Sequence, residues 1–384
     1  MRRVVLWAAL PVVMVLIAGL GGGGWYYSDQ LLPAPPPFEP TPDITVTAVD
    51  PEDGLISLDS LDADTALYRV GLVAESGLLL ANGAPADADQ GTVRQAVLLD
   101  GQWPEPGQLV ATSVDAFFGD PSTTLGLPYD AITVTSGLGD LPAWRVVPKR
   151  ADTTGTWVVL IHGRGGGLSE GNRLLPLLDD HRLPSLSISV RNDPDAPADP
   201  NGFGFYGEQE WEELEAAIDH LVEVEDADDI VLVGFSQGAS IALSLLRRSE
   251  QAEQVSAAVL ISPLVSLDAT LELQARNRGI PEVVIPPLLA STRMISTWRA
   301  GLDFGQVEHL ERAGELPGDI PLLLTHGTAD TTVPFEPTRE LAHTLGDQAT
   351  YVEYDGVEHV REWNSDSSFE QHVDELFATA GIGR

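Results

Sequence analysis

The stretch Gly234-Phe235-Ser236-Gln237-Gly238 spaces a serine between two glycines. An apolar run, Ile230–Val233, leads into it, and residues 239–248 leave it with helical spacing. A strand, a tight turn and a helix in that order form the frame in which a Gly-x-Ser-x-Gly motif presents a nucleophile. Glycines lack Cβ atoms, so the strand and helix can approach closely around a strained turn. The turn lifts the Ser236 hydroxyl above the sheet. The backbone N–H of Gln237, at the helix start, then points toward any oxyanion formed by attack. A tight turn holding an incidental serine would not need this frame.

A serine hydroxyl is a weak nucleophile near neutral pH, so it needs a base, and the base needs an orienting acid. Eight histidines are available. His359 follows the strand-like "ATYVEYDG" and precedes the last helical stretch, which puts it at the carboxyl end of a late strand. His220, His343 and His372 lie within helical patterns, His309 lies in an insertion and His181 precedes a strand; these read as surface or packing residues. For the acid, Asp330 closes the run "LLLTHGTAD", again at a strand end. Asp355 and Glu358 are nearer His359 in sequence and stand as alternatives, with Asp303 more remote. His326 reads as a residue stabilising the Asp330 turn. The order Ser236, Asp330, His359 is the chain order expected of a nucleophile-elbow hydrolase.

A fourth piece is the glycine-rich loop His162–Gly167 after the apolar run "TWVVLI". Glycines there allow a backbone N–H to face the pocket as a second oxyanion donor. Gly163 or Arg164 would supply it, and Arg164 is the preferred choice. The His162 side chain is expected to pack or hydrogen-bond within the loop. The loop lacks the Gly-Lys-Ser/Thr ending of a phosphate loop, which argues against nucleotide binding.

These residues need a scaffold that brings strand ends together. From residue 148 onward, continuous apolar runs alternate with helical patterns, as expected of a parallel sheet covered on both faces. Sites in such sheets lie at the carboxyl ends of the strands. Residues 263–317 interrupt the alternation; they form either a cap over the pocket or a structural excursion. Residues 44–147 read as short β-like runs between turn residues, a β-rich region with no catalytic constellation.

Residues 29–43, which include "LLPAPPPFEPTPD", read as a proline-rich linker, extended and semi-rigid. Before it, Arg2 and Arg3 precede an uncharged stretch from Val4 to Ser28. That length can cross a hydrocarbon core of about 30 Å. Residues 1–28 are therefore expected to be a transmembrane signal-anchor with the N-terminus inside and the body outside, Trp25, Tyr26 and Tyr27 lying at the outer interface. A cleaved signal peptide, giving a secreted protein, is the alternative. The formal net charge of −37 opposes nucleic-acid binding. The absence of cysteine excludes disulfides, thiolate metal sites and cysteine nucleophiles.

The His-Gly loop, the Ser236 elbow, "HGTAD" and the late His359 together resemble the α/β-hydrolase superfamily, of esterase, lipase or serine-peptidase type. The resemblance covers about residues 143–382 and leaves the β-rich part unassigned. It implies an α/β-hydrolase fold with a mostly parallel central sheet, a cap-like insertion and a β-rich N-terminal region. It also implies a Ser236-His359-Asp330 hydrolase of carboxylic esters or related acyl bonds, with Gln237 and Arg164 as the oxyanion hole. The expected substrate is a small-molecule or lipid-like acyl compound. No metal, cofactor or nucleic acid is expected. Peptidase, acyltransferase and non-catalytic surface-binding readings of the same fold stay open, as do protein partners.

Overall fold

The computed structural model describes residues 18–60, 62–88, 91–151 and 155–383. Helix α1 spans residues 18–31. Seven antiparallel strands follow: β1 (Ile44–Asp50), β2 (Leu55–Leu58), β3 (Arg69–Ala74), β4 (Gly77–Asn82), β5 (Ala86–Ala88), β6 (Gly91–Gly101) and β7 (Leu109–Ser113). Their order is β2-β1-β7-β3-β4-β6-β5, and β2 also pairs with β6. That pairing closes six strands into a barrel-like ring, leaving β5 attached to one edge. Alternating side chains, among them Val46, Ile56, Leu72 and Leu79, fill its interior. A short helix α2 (Pro121–Leu125), capped by the Asp120 carboxylate, leads out of the barrel.

The body contains β8 (Tyr129–Thr135), β9 (Asp140–Val146), β10 (Thr156–Ile161), α3 (Leu175–Asp180), β11 (Ser185–Ile188), α4 (Trp211–Val224) and β12 (Asp229–Phe235). It continues with α5 (Gln237–Arg248), β13 (Val255–Ile261), α6 (Leu267–Asn277), α7 (Ile285–Ala300), β14 (Leu322–Gly327), α8 (Glu336–Leu345), β15 (Ala349–Tyr354), α9 (Glu362–Ser365) and α10 (Ser368–Ala380). Eight strands form one sheet in the order β15-β14-β13-β12-β10-β11-β9-β8. The six from β15 to β11 are parallel, while β9 and β8 add an antiparallel edge. This is an α/β-hydrolase fold with a mostly parallel sheet beside a β-rich N-terminal region.

The continuous apolar strands are explained by burial on both faces. On β12, Ile230 and Leu232 pack toward α4 and α5, while Val231, Val233 and Phe235 pack toward α3 and α10. A period of two places every second residue on the opposite face, so a strand covered on both sides has no polar position.

Two boundaries differ from the sequence expectation. The β-rich region was drawn to residue 147, yet β8 and β9 hydrogen-bond into the body sheet rather than the barrel. Alternation is identical for a barrel strand and an edge strand, so pairing partners alone separate them. The stretch 29–43 is no free spacer. Leu31 and Leu32 are buried against Phe205, Leu264 and Leu302. The Ala34 N–H donates to Gly202 O and the Phe38 N–H to Gly165 O, so the extended segment is strapped across the body.

The expected membrane span, Val4–Ser28, lies outside the described residues up to residue 17. From residue 18 the chain is helical and packs on α7. The Ser291 hydroxyl donates to Leu20 O, Arg299 pairs with Asp29 at 2.6 Å, and the rings of Trp25 and Trp298 lie 6.2 Å apart. A Cβ on Gly24 would come within 2.3 Å of the Ser291 hydroxyl, so glycine permits this helix–helix approach. Among the described residues, no helix is long and apolar enough to cross a membrane.

Candidate active site

The link from β12 to α5 is a sharp turn at Ser236, whose φ of 51° and ψ of −109° are unusual for a residue with a Cβ. Tight packing imposes it. A Cβ on Gly238 would stand 2.1 Å from Ile161 O, and one on Gly234 would stand 2.5 Å from Ala239 N. Neither glycine can be replaced without moving backbone. The Ser236 N–H donates to Ile261 O at 2.8 Å, tying the turn to the neighbouring strand.

Three strand ends meet at this turn. His359 Nε2 lies 2.8 Å from Ser236 Oγ, and His359 Nδ1 lies 2.6 Å from Asp330 Oδ2. Asp330 is buried and is bound by much more than His359. Its Oδ1 accepts the N–H groups of Thr332 and Val333, and its Oδ2 also faces His326 Nε2 at 3.0 Å. Burial alone would raise the Asp330 carboxyl pKa, but its contacts with His326 and His359 outweigh burial and hold it below the usual carboxylate range. His326 is fixed in turn by Thr338 Oγ1 at 2.9 Å.

The alternative acids are engaged elsewhere. Glu358 accepts from Thr331, and Asp355 accepts from Thr328. Asp303 caps a 3-10 turn at Gly305.

The glycine loop after β10 is braced from within the protein. The Gly163 N–H donates to the buried Glu170 carboxylate at 2.6 Å, so it is not available to a ligand. Arg164 lines the cavity together with Ser236 and Gln237. Among the described residues, no protein acceptor takes the N–H of Arg164 or Gln237. The Arg164 guanidinium donates to the carbonyls of Leu31 and Pro33 and lies over the Tyr206 ring, whose hydroxyl also donates to Leu31 O. The proline-rich strap therefore grips the loop that carries Arg164. His162 is buried with Nε2 at 2.7 Å from Asp193. Burial works against its charged form, but Asp193 and the Gly163 carbonyl prevail and push its pKa up to about 9.

The cavity beside Ser236 has a volume of about 300 Å³. The inserted segment supplies much of its wall through Leu267, Leu271, Ile280 and Leu288, so residues 263–317 roof the pocket. Tyr27 and Leu31 close one side from α1.

Sequence reasoning missed several supporting groups. Glu362 is fully buried and accepts from Ser262, whose hydroxyl also accepts the Val360 N–H beside His359. Glu170 braces the glycine loop, and His326 acts as a second partner for Asp330. His309, read as surface or packing, is buried with Nε2 at 2.8 Å from Ser240 Oγ; burial and nearby Arg247 and Arg312 drive its pKa down. The partners of Glu362 and His309 lie in distant segments, and Glu170 and His326, whose partners are seven and four residues away, carry no local mark that sets them apart from exposed residues. Among the described residues, no cluster of three or more His, Asp or Glu side chains is arranged to hold a metal ion.

The profile of the alpha/beta hydrolase family matches residues 158–379, and the chain belongs to that family. No curated protein matches it. Among solved structures, an esterase of Pyrococcus furiosus is similar at a TM-score of 0.54 and 19% identity, over 68% of this chain and 94% of that one. A propionate-bound esterase from the planctomycete Thermogutta terrifontis gives a TM-score of 0.49 and 18% identity, over 67% of this chain and 96% of that one. At such identities the likeness to the Pyrococcus furiosus structure speaks for the fold.

Proposed function

We propose that the protein is a serine hydrolase of carboxylic esters, working through an acyl-enzyme on Ser236. The observation that carries this reading is the unbroken line from Ser236 Oγ through the His359 ring to Asp330 Oδ2, at the wall of an apolar cavity. Asp330 at Nδ1 favours the tautomer that leaves Nε2 as acceptor for the serine proton. Ser236 Oγ attacks the acyl carbon while His359 takes its proton. The oxyanion is held by the N–H groups of Gln237 and Arg164, aimed where negative charge develops. His359 then protonates the leaving alcohol and activates the water that releases the acid.

The cavity volume is at the low end of the roughly 300–1,000 Å³ range of small-molecule sites, and its walls are leucine-rich. This favours a short or medium acyl chain. The uncharged stretch Val4–Ile17 behind Arg2 and Arg3, which leads into the body-packed α1, supports attachment of the N-terminal end to a membrane with the body outside the cell.

Labelling with a fluorophosphonate tests the reading. The wild-type chain should label at Ser236, and Ser236→Ala should not label and should lose about 10⁶-fold in kcat. An unlabelled wild type, or a labelled Ser236→Ala, would remove the assignment.

A further inference from the structure

We propose that the face formed by α1 and α7 lies on a lipid bilayer and that acyl lipids enter the cavity from that surface; the second clause rests on the ester-hydrolase reading. Among the described residues, eleven large apolar side chains are exposed, and six of them sit on this face. They are Trp25 and Tyr26 on α1, Val283 and Val284 just before α7, and Met294 and Trp298 on it. Trp298 is 76% exposed and Met294 67% exposed, four residues apart on one side of the helix. The other five are scattered over the barrel, the strap and the far end of the body. Such a concentration needs a covering partner.

Three observations point to lipid as that partner. First, the patch is rich in tryptophan and tyrosine, which favour the boundary between headgroups and hydrocarbon. Second, the face is nearly neutral in a chain of net charge −37. On α7, Arg293 and Arg299 pair with Asp268 of α6 and Asp29 of α1, and Arg276 on the adjoining α6 pairs with Glu272 and Glu282, so the repulsion that the rest of the surface exerts on anionic headgroups is weak here. Third, the chain enters α1 at this face directly from Val4–Ile17, a stretch without a charged residue.

The opposite sides of the same two helices line the cavity, through Tyr27 and Leu31 on α1 and Leu288, Leu289 and Thr292 on α7. These two helices alone stand between the patch and this wall of the cavity. An acyl chain leaving the bilayer would meet leucines along its path and would not cross the acidic surface.

Because the chain has no cysteine, Met294→Cys and Val224→Cys each carry a nitroxide at one place only. Val224 is 61% exposed at the far end of α4 and serves as the reference. The full chain is reconstituted in phosphatidylcholine–phosphatidylglycerol vesicles, and each label is probed with oxygen and with a water-soluble nickel chelate. The label at 294 should be reached by oxygen and shielded from the chelate, whereas the label at 224 should be reached by the chelate. Chelate access at 294 equal to that at 224 overturns the proposal. So does shielding from both reagents, which would mean that protein, a second copy or another partner, covers the face. In a kinetic arm, Met294→Ser with Trp298→Ser should slow hydrolysis of a medium-chain diacyl lipid incorporated in those vesicles by roughly tenfold or more and leave a soluble butyrate ester unaffected. Equal loss on both substrates would also overturn it. A wild type inactive on both esters would sink the hydrolase reading while the nitroxide result still decided the docking.

Discussion

Asp330 is the most constrained residue of the candidate site. Two histidines and two backbone N–H groups hold it, and only one of those histidines reaches Ser236. Asp330→Asn should retain the fold and lose about 10⁴-fold in kcat, because an amide no longer selects the required tautomer of His359. His326→Gln should cost less, up to about 100-fold, by letting Asp330 shift; its KM should barely change, which steady-state kinetics on a soluble ester can check. Ser236, Asp330 and His359, which the structure brings within hydrogen-bond reach of one another, could be picked out in the sequence because each follows a strand-like run. His326 was read correctly as bracing its turn, but its bond to the acid was not foreseen. Glu170 and Glu362 were invisible, since a buried glutamate looks in sequence like any surface glutamate. His162 makes a separate prediction. Its folded pKa of about 9 lies above the ordinary 6.5, so its pairing with Asp193 stabilises fully below pH 6.5 and is lost as pH rises through about 9. The loss is on the order of 3 kcal/mol. Urea titrations at pH 6 and 9.5 should show it, and His162→Gln should flatten the difference.

At the scale of elements, two close approaches set the geometry. Gly238→Ala would drive a Cβ into the Ile161 carbonyl, so denaturant unfolding should reveal a loss of about 2–3 kcal/mol or more. The strap offers a milder probe. Arg164→Met keeps the backbone N–H and removes the grip on Leu31 and Pro33; kcat should fall roughly 10- to 100-fold, with partial recovery in Arg164→Lys. An unchanged kcat in Arg164→Met would mean that the loop stands without the strap. The alternation of strands and helices was readable because both faces of the sheet are covered. Proline content foretold an extended chain, which holds for residues 32–43 while 29–31 end helix α1, but the docking of that chain depends on Gly165, Gly202 and Phe205, far away in sequence. The insertion was recognisable as an interruption, and its place as a roof followed only from where α6 and α7 lie.

For the whole molecule, the net charge of −37 is the dominant long-range term. Self-repulsion of this size destabilises the compact state and is screened by salt. The thermal midpoint should therefore rise by several degrees between 10 and 200 mM sodium chloride, in scanning calorimetry of the full chain. A flat response would mean that the carboxylates are compensated locally. The β-rich region could be recognised as strands but not as a closed ring, because the β2–β6 pairing that completes it joins segments with no reciprocal mark in the sequence.

That ring grips the segment that carries His359. Arg361 pairs with Asp64, the Asn364 amide donates to Arg69 O and Val114 O, and Arg173 joins Asp115 to Val360 O. The N-terminal third of the chain thus holds one of its last segments in register. During synthesis the barrel leaves the ribosome well before residue 359 is made, and N-terminal units generally fold first. The half-made protein then waits with a finished docking surface and no base. Ribosome-arrested chains ending before β15 should be protease-resistant in the barrel yet unreactive toward a fluorophosphonate. Competence would arrive late and abruptly, when the C-terminal helices settle onto a template folded in advance.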